Sequence, residues 1–154
     1  MAIIGASFVM TSAQERFVNT MGDTMANWNL PRATGRMYGF LLLKAAPSSS
    51  DDLRAALGLS SGAVSTAIRE LVSWGLARTI PQPGSRRLLV EAAGGFDQLL
   101  AASIERARTF IRALQSAEEL TESTQAAERL RDVTDLFIAY VDAGGEVLRR
   151  HRQP

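Results

Sequence analysis

The sequence predicts a mainly α-helical fold with one small β-hairpin. Apolar residues recur at helical steps of three and four through most of the 154 residues. One stretch, residues 76–91, breaks this pattern with two short strand-like runs around a turn rich in proline and glycine. The length fits one domain, and a hydrophobic fraction of 46% is enough for a packed core.

Two helices are predicted before the middle of the chain. The first covers residues 12–28 and begins at Ser12, with Glu15 three residues later, which is the pattern of a capping box. The second covers residues 31–45 and begins at Pro31, a residue favoured in a first helical turn. Because this second helix is apolar nearly all round, we expect it to be central in the fold.

Residues 49–74 predict a helix-turn-helix. Ser49 and Ser60 have the character of N-terminal caps, Gly58 permits a sharp turn between the two helices, and Gly75 fits the position after the second. The apolar residues expected to fix the crossing of the two helices are Leu53, Leu57, Leu59, Val64, Ile68 and Leu71.

A β-hairpin is predicted directly after these helices. Residues 76–80 and 86–91 form its strands and residues 81–85 its turn, so that Arg86 and Arg87 stand at the tip. An arginine-tipped hairpin beside a helix-turn-helix is the arrangement of a winged helix, in which the hairpin reaches a neighbouring minor groove.

Two long amphipathic helices are predicted after Gly94 and Gly95. Their apolar stripes are Phe96, Leu100, Ile104, Ala107, Ile111 and Leu114 in one helix and Leu130, Val133, Phe137, Tyr140, Gly144 and Leu148 in the other. We therefore expect a helical dimerisation region from residues 12–30 and 96–154, and one compact winged helix-turn-helix unit from residues 31–95. Residues 1–11 are expected to form an N-terminal arm, with disorder as an alternative.

The composition argues against several classes of function. With no cysteine in the chain, disulfides, thiolate nucleophiles and cysteine-ligated metals are excluded. The single histidine, His151, lies near the end of the chain and argues against a catalytic triad or a histidine metal site. We therefore expect no catalytic residues, no metal and no cofactor. No apolar run approaches the roughly 20 residues of a membrane helix, so we expect a cytoplasmic protein without a membrane partner.

The second helix of the predicted helix-turn-helix has a polar face suited to DNA. Its small hydroxyl residues allow a close approach to phosphates, and its arginine can reach a base edge. Between Lys44 and Arg87, six basic side chains stand against three acidic ones, an excess of +3 compared with +1 for the whole chain. The predicted contacts to double-stranded DNA are Ser60, Ser61, Ser65, Thr66, Arg69, Arg86 and Arg87.

Three stretches of the sequence together resemble a known protein family. The stretches LPRATGRMYGFLLL and SSDDLRAALGLSSGAVSTAIRELVSWGLART, followed by PGSRR, resemble the GbsR-type branch of the MarR transcriptional regulators. The resemblance covers about residues 12–91 and extends to the two following helices in layout only. The motif positions that carry it are residues 60–76 together with Pro31, Arg32, Gly35, Arg36, Tyr38 and Gly39.

The resemblance implies more than a fold. It implies a homodimer with interlocking terminal helices that binds a pseudo-palindromic operator, and a repressor released by a small, often apolar effector. One departure is Ser85, which replaces an aspartate common at the wing tip in this family. Because that aspartate often orients its neighbouring arginine, Arg86 and Arg87 are expected to be freer here, and either could enter the groove.

The sequence leaves alternatives for the roles of several residues and for the function. Arg32 and Arg36 are better explained by hydrogen bonds to helix ends or a dimer partner than by DNA contact. The aromatic residues proposed for an effector pocket, which core packing explains at least as well, are Trp28, Tyr38, Phe40 and Trp74. The functional alternatives are an activator or dual regulator of the same fold, a helical protein-interaction module, and a nonspecific DNA binder.

Overall fold

The computed structural model describes residues 8–154, so residues 1–7 of the predicted arm lie outside the described part of the chain. The elements in chain order are α1 (Ser12–Met25), α2 (Arg32–Leu43), β1 (Ser48–Ser49), α3 (Ser50–Leu57), α4 (Ser61–Ser73), β2 (Ala77–Pro81), β3 (Leu88–Ala92), α5 (Phe96–Glu118) and α6 (Thr124–Arg152). A short 3₁₀ turn, Ala26–Trp28, follows α1. The predicted mainly helical fold with a β-hairpin is confirmed.

The chain divides into two compact units that meet in sequence at Phe96. The first contains α1 to α4 and an antiparallel sheet of strand order β1-β3-β2. The hairpin β2–β3 was predicted, but β1 was not, because a two-residue strand has no periodicity to detect. In β1, Ser48 pairs with Val90 of β3, so the start of α3 is fixed to the hairpin.

The helix ends follow the predicted caps with one exception. The capping box of α1 is formed by Thr11 and Gln14, one residue before the predicted pair, so the assignment to Ser12 and Glu15 was wrong. Both pairs satisfy the same sequence pattern, and only the extended backbone of Thr11 selects between them. Gly58 ends α3 with φ of 64°, a left-handed conformation that glycine adopts without strain.

Helix α2 is the centre of the first unit. It contacts α1, α3, α4 and β3, and it buries Met37, Tyr38, Phe40 and Leu41. The helix is central as expected, but its apolar last turn is less buried, since Leu42 and Leu43 are 47% and 38% exposed. Pro31 also lies one position earlier than predicted, at the N-cap.

Helices α1 and α2 approach each other main chain to main chain. A Cβ atom built on Gly35 would lie 2.9 Å from the Cα atom of Gly22 and 2.9 Å from the carbonyl oxygen of Met21. Real Cβ atoms do not come this close to backbone atoms. The glycines that weaken an isolated helix are therefore used here for close helix packing.

The second unit is a pair of long helices with its own core. Ile104 and Ile111 of α5 pack with Val141 and Leu148 of α6. The apolar stripe predicted for α6 is only partly buried, since Tyr140 remains 58% exposed. Other large apolar residues on the surface of α6 are Val133, Leu136, Ile138 and Val147. Within residues 8–154, no helix has the length and hydropathy to cross a membrane.

Candidate nucleic-acid interface

Helix α4 has one buried and one exposed side. Val64, Ala67 and Leu71 are buried in the first unit, and this leaves the polar side facing solvent. The exposed residues on that side are Ser61, Ser65, Thr66 and Arg69. Helical periodicity fixes this division, because residues three and four positions apart share a face. The polar side of α4 is therefore available to a large partner.

The hydroxyl groups at the start of α4 have distinct local roles. The Oγ of Ser60 accepts the backbone N–H of Ala63 at 3.1 Å, so Ser60 is the N-cap. Its O–H proton remains available to donate outward. Further along, Arg69 Nη2 donates to Thr66 Oγ1 at 3.4 Å, which holds the guanidinium along the exposed face.

A groove of about 620 Å³ separates α4 from the hairpin. Ser61, Ser65 and Arg69 line it on the side of α4. The groove also contains residues that the sequence did not single out as contacts, namely Ser50, Arg54, Val72 and Leu88. Of these, only Arg54 had a sequence signal, its positive charge. Val72 belongs to α4 itself, whereas Ser50 and Leu88 become neighbours of α4 only through the tertiary fold.

The hairpin tip is built around Gly84 and Ser85. Gly84 has φ of 73°, and the backbone N–H of Ser85 donates to the carbonyl of Gln82 at 3.1 Å. Ser85 Oγ then accepts the backbone N–H of Arg87 at 3.0 Å. Ser85 therefore closes the turn through the main chain, while the side chains of Arg86 and Arg87 remain exposed.

Ion pairs neutralise some arginines near this face and leave others unneutralised. Arg78 pairs with Glu91 across the hairpin at 2.6 Å, and Arg87 Nη1 lies 3.7 Å from an oxygen of Asp51. In the described part of the chain, Arg69 and Arg86 make no ion pair. These two charges and, separately, the positive N-terminal end of the α4 dipole all favour phosphate binding.

Arg36 of α2 makes the kind of contact that the sequence favoured, a hydrogen bond to a helix end, whereas Arg32 forms an exposed ion pair with another side chain. Arg32 Nε donates to Asp23 at 2.9 Å on the surface of α1. Arg36 Nη1 donates to the carbonyl oxygen of Leu57, the last residue of α3, at 3.1 Å. Arg36 thus caps a helix end whose carbonyl has no partner within the helix.

The aromatic residues proposed for an effector pocket lie in different places. Trp28 meets Phe96 edge to face with ring centres 5.4 Å apart, and Tyr38 stacks on Phe96 at 6.2 Å. Phe40 instead contacts Phe8 at 5.6 Å, and Trp74 is half-buried at the end of α4. Trp28 and Tyr38 are therefore brought together around Phe96. Burial raises the pKa of the Tyr38 phenol.

Comparisons with known proteins agree with this geometry. The model of the MarR family matches residues 40–88. The HTH-type transcriptional regulator MmpR5 of Mycobacterium tuberculosis is 31% identical over 146 residues, which cover 89% of this chain and 86% of that protein. The HTH-type transcriptional repressor OpcR of Bacillus subtilis is 22% identical over 90 residues, which cover 58% of this chain and 49% of that protein.

A solved structure extends the similarity beyond the matched segment. A crystal structure of a transcriptional regulator superposes with a TM-score of 0.59 at 28% identity. The superposition covers 92% of this chain and 99% of the other. The similarity therefore includes both the winged-helix segment and the long C-terminal helices.

Proposed function

The chain belongs to the MarR family, and we propose that it is a homodimeric repressor of the GbsR-like branch that binds a pseudo-palindromic operator. The observation that carries the proposal is the solvent-facing polar side of α4, next to a hairpin on which Arg86 makes no ion pair within residues 8–154. The family consists of transcriptional regulators and not enzymes, so the function lies in binding. As a DNA-binding regulator it would act in the cytoplasm.

The proposed DNA contacts come from two elements, α4 and the hairpin. Ser60, Ser61 and Ser65 lie at the first turns of α4, where small hydroxyl side chains let the backbone approach phosphates. Thr66 and Arg69 follow on the outer face, where the guanidinium can reach a guanine edge. The hairpin contributes Arg86 and Arg87 to a narrow, strongly negative minor groove.

A second copy of the chain would complete the DNA-binding unit. One recognition helix makes few contacts, while two on a shared frame read half-sites about one helical turn apart. The exposed apolar residues of α6, including Leu136 and Tyr140, offer a surface for such a partner. The area left apolar there argues for dimerisation through the C-terminal helices.

A small effector would release the repressor by preferring the arrangement that cannot bind DNA. Trp28, Tyr38, Phe40 and Trp74 remain the proposed contacts, and the grouping of Trp28 and Tyr38 around Phe96 supports the first two as a pair. A bound apolar ligand would change the fluorescence of Trp28. Titration of hydrophobic compounds with tryptophan emission and operator release as readouts tests this step.

A gel-shift experiment tests the proposed function. The DNA is the region upstream of the protein's own gene, at moderate salt, with a scrambled fragment of equal length and composition as the control. Preferential binding to the upstream fragment supports the regulator. Equal binding to both fragments would indicate a nonspecific binder, and no binding to either would favour a protein-interaction module. A promoter fusion in cells with and without the gene separates repression from activation.

A further inference from the structure

Arg36 connects three helices of the first unit. Its Nε donates to Asn19 Oδ1 of α1 at 3.0 Å, and its Nη1 donates to the carbonyl of Leu57 at 3.1 Å. Both hydrogen bonds are partly buried, so water competes with them less than at an exposed site. The carbonyl of Leu57 lies directly before Gly58, at the turn that separates α3 from α4.

The path of the Arg36 side chain depends on a glycine. A Cβ atom on Gly22 would lie 2.7 Å from Arg36 Cγ, so the stem of the arginine occupies space that any larger residue would fill. The close contact between α1 and α2 thus holds the guanidinium fork in one place. Arg32 lies one turn earlier on the same helix, and its Cγ also lies close to Gly22, but its side chain is 55% exposed.

A second hydrogen bond joins α2 to the middle of α4. Thr34 is 1% exposed, and its Oγ1 donates to Glu70 Oε2 at 2.9 Å. Glu70 follows Arg69 directly in sequence, so this bond fixes the rotation of α4 close to its proposed base-reading residue. Two polar links from α2 therefore hold the turn before α4 and the middle of α4.

We propose that Arg36 is a positioning residue for DNA recognition, because it ties the turn of the helix-turn-helix to α1 and so sets the orientation of α4. It does this without touching DNA, through Asn19 on one side and Leu57 on the other. The proposal rests on the function proposed above, and it adds a route by which a displacement of α1 reaches the recognition helix.

Charge-conserving variants test the proposal. Arg36→Lys keeps the positive charge and most of the stem, but one ammonium cannot replace the guanidinium fork that bonds both partners. We expect operator affinity to fall about fivefold or more, the effect of losing a charge-assisted hydrogen bond, while affinity for scrambled DNA changes less than about twofold. The matched control is Arg32→Lys, which should leave both affinities within about twofold.

Hydrogen exchange on the DNA-free protein gives a readout independent of operator binding. Arg36→Lys and Asn19→Ala should speed amide exchange in residues 58–64, while Arg32→Lys should not. If the wild-type protein bound operator and scrambled DNA equally, the proposed function would be refuted, but the exchange measurement would still test the role of Arg36. If Arg36→Lys does not fold, Asn19→Ala carries the same binding and exchange tests, since it removes only the link to α1.

Three results would overturn the proposal. The first is operator binding by Arg36→Lys at wild-type affinity. The second is an equal loss on operator and scrambled DNA, which would indicate general destabilisation. The third is unchanged exchange in residues 58–64 for both Arg36→Lys and Asn19→Ala.

Discussion

Arg87 Nη1 lies 3.7 Å from Asp51 Oδ2, so the hairpin tip is linked by charge to the first turn of α3. Asp51 also lies 3.8 Å from Arg54 Nη1. The carboxylate that restrains a wing arginine therefore comes from another element, while Ser85 binds only the main chain of Arg87. This arrangement distinguishes Arg87 from Arg86, which makes no ion pair within residues 8–154.

Removing the wing arginines should weaken binding to all DNA sequences. Arg86→Ala and Arg87→Ala should each make the negative slope of log K against log salt shallower, by about one unit for each lost phosphate contact. We expect the larger affinity loss for Arg86→Ala, because Arg87 must first leave Asp51. Salt titrations monitored by fluorescence anisotropy measure both quantities. Arg16→Ala, an exposed change on α1, serves as the control, and an unchanged slope would remove both wing arginines from the interface.

Neutralising Asp51 should strengthen nonspecific binding. Asp51→Asn removes a like charge near the phosphates and releases both Arg54 and Arg87, so affinity for scrambled DNA should rise about twofold to threefold at low salt. The same anisotropy titration measures it, with Asp23→Asn on α1 as the matched control. A fall in affinity would show instead that Asp51 orients Arg87 productively for DNA.

Arg69→Ala tests direct base reading by α4. If the guanidinium contacts a base edge, the change should cost about 1–3 kcal/mol on the operator. Affinity for scrambled DNA should change much less, because Arg69 would then contribute little to phosphate binding. Paired titrations on the two DNAs measure the difference. Equal losses of affinity for operator and scrambled DNA would show that Arg69 contacts a phosphate and not a base.

A charge on the exposed apolar face of α6 should prevent dimerisation. Leu136 is 67% exposed, so Leu136→Glu need not disturb the core, yet it would place a carboxylate within an apolar interface. We expect a folded, helical monomer by analytical ultracentrifugation and circular dichroism. The control is Asp135→Lys, about 100° around the same helix. A Leu136→Glu dimer of unchanged affinity would exclude this face from the interface.

The hydrogen bond between the ends of the long helices should make stability depend on pH. Arg152 Nε donates to Asp97 Oδ2 at 2.9 Å and lowers the pKa of that carboxyl below its ordinary value. A lowered folded-state pKa stabilises the protein above the unfolded-state pKa of about 3.9. This contribution should disappear as the pH falls through the lower, folded-state value.

Urea denaturation between pH 5 and pH 2 measures this dependence, where ordinary carboxyl groups titrate at about pH 4. Arg152→Gln should lower stability at pH 5 and flatten the pH profile. Part of the acid sensitivity should remain, because Arg149 and Arg150 also lower the pKa of Glu146. A profile identical to that of the wild type would show that the Arg152–Asp97 bond does not contribute to folding.

The sequence predicted the parts of the fold that are encoded locally. Ser60 and Gly58 mark helix ends by their own chemistry, and the spacing of Val64, Ala67 and Leu71 determines which side of α4 is buried. For the same reason, the exposure of the predicted polar face could be anticipated. The identity of its DNA contacts stays a prediction.

The features that the sequence did not predict depend on contacts between distant residues. The short strand β1 exists only because β3 lies beside it, and the link from Asp51 to Arg87 requires α3 to meet the hairpin. Leu42 and Leu43 appear as core residues in sequence, but at the end of α2 they remain 47% and 38% exposed. Local pattern cannot supply such tertiary information.

The main-chain contact between α1 and α2 has a mechanical consequence. Where Gly22 and Gly35 meet, main-chain atoms of the two helices are in direct contact, and main-chain atoms cannot change rotamer to relieve strain. A rotation of α1 should therefore carry α2 with it, so that the two helices move as one rigid pair. Even the methyl group of Gly35→Ala should force the two helices apart. Gly22 and Gly35 therefore mark a place where the molecule cannot bend.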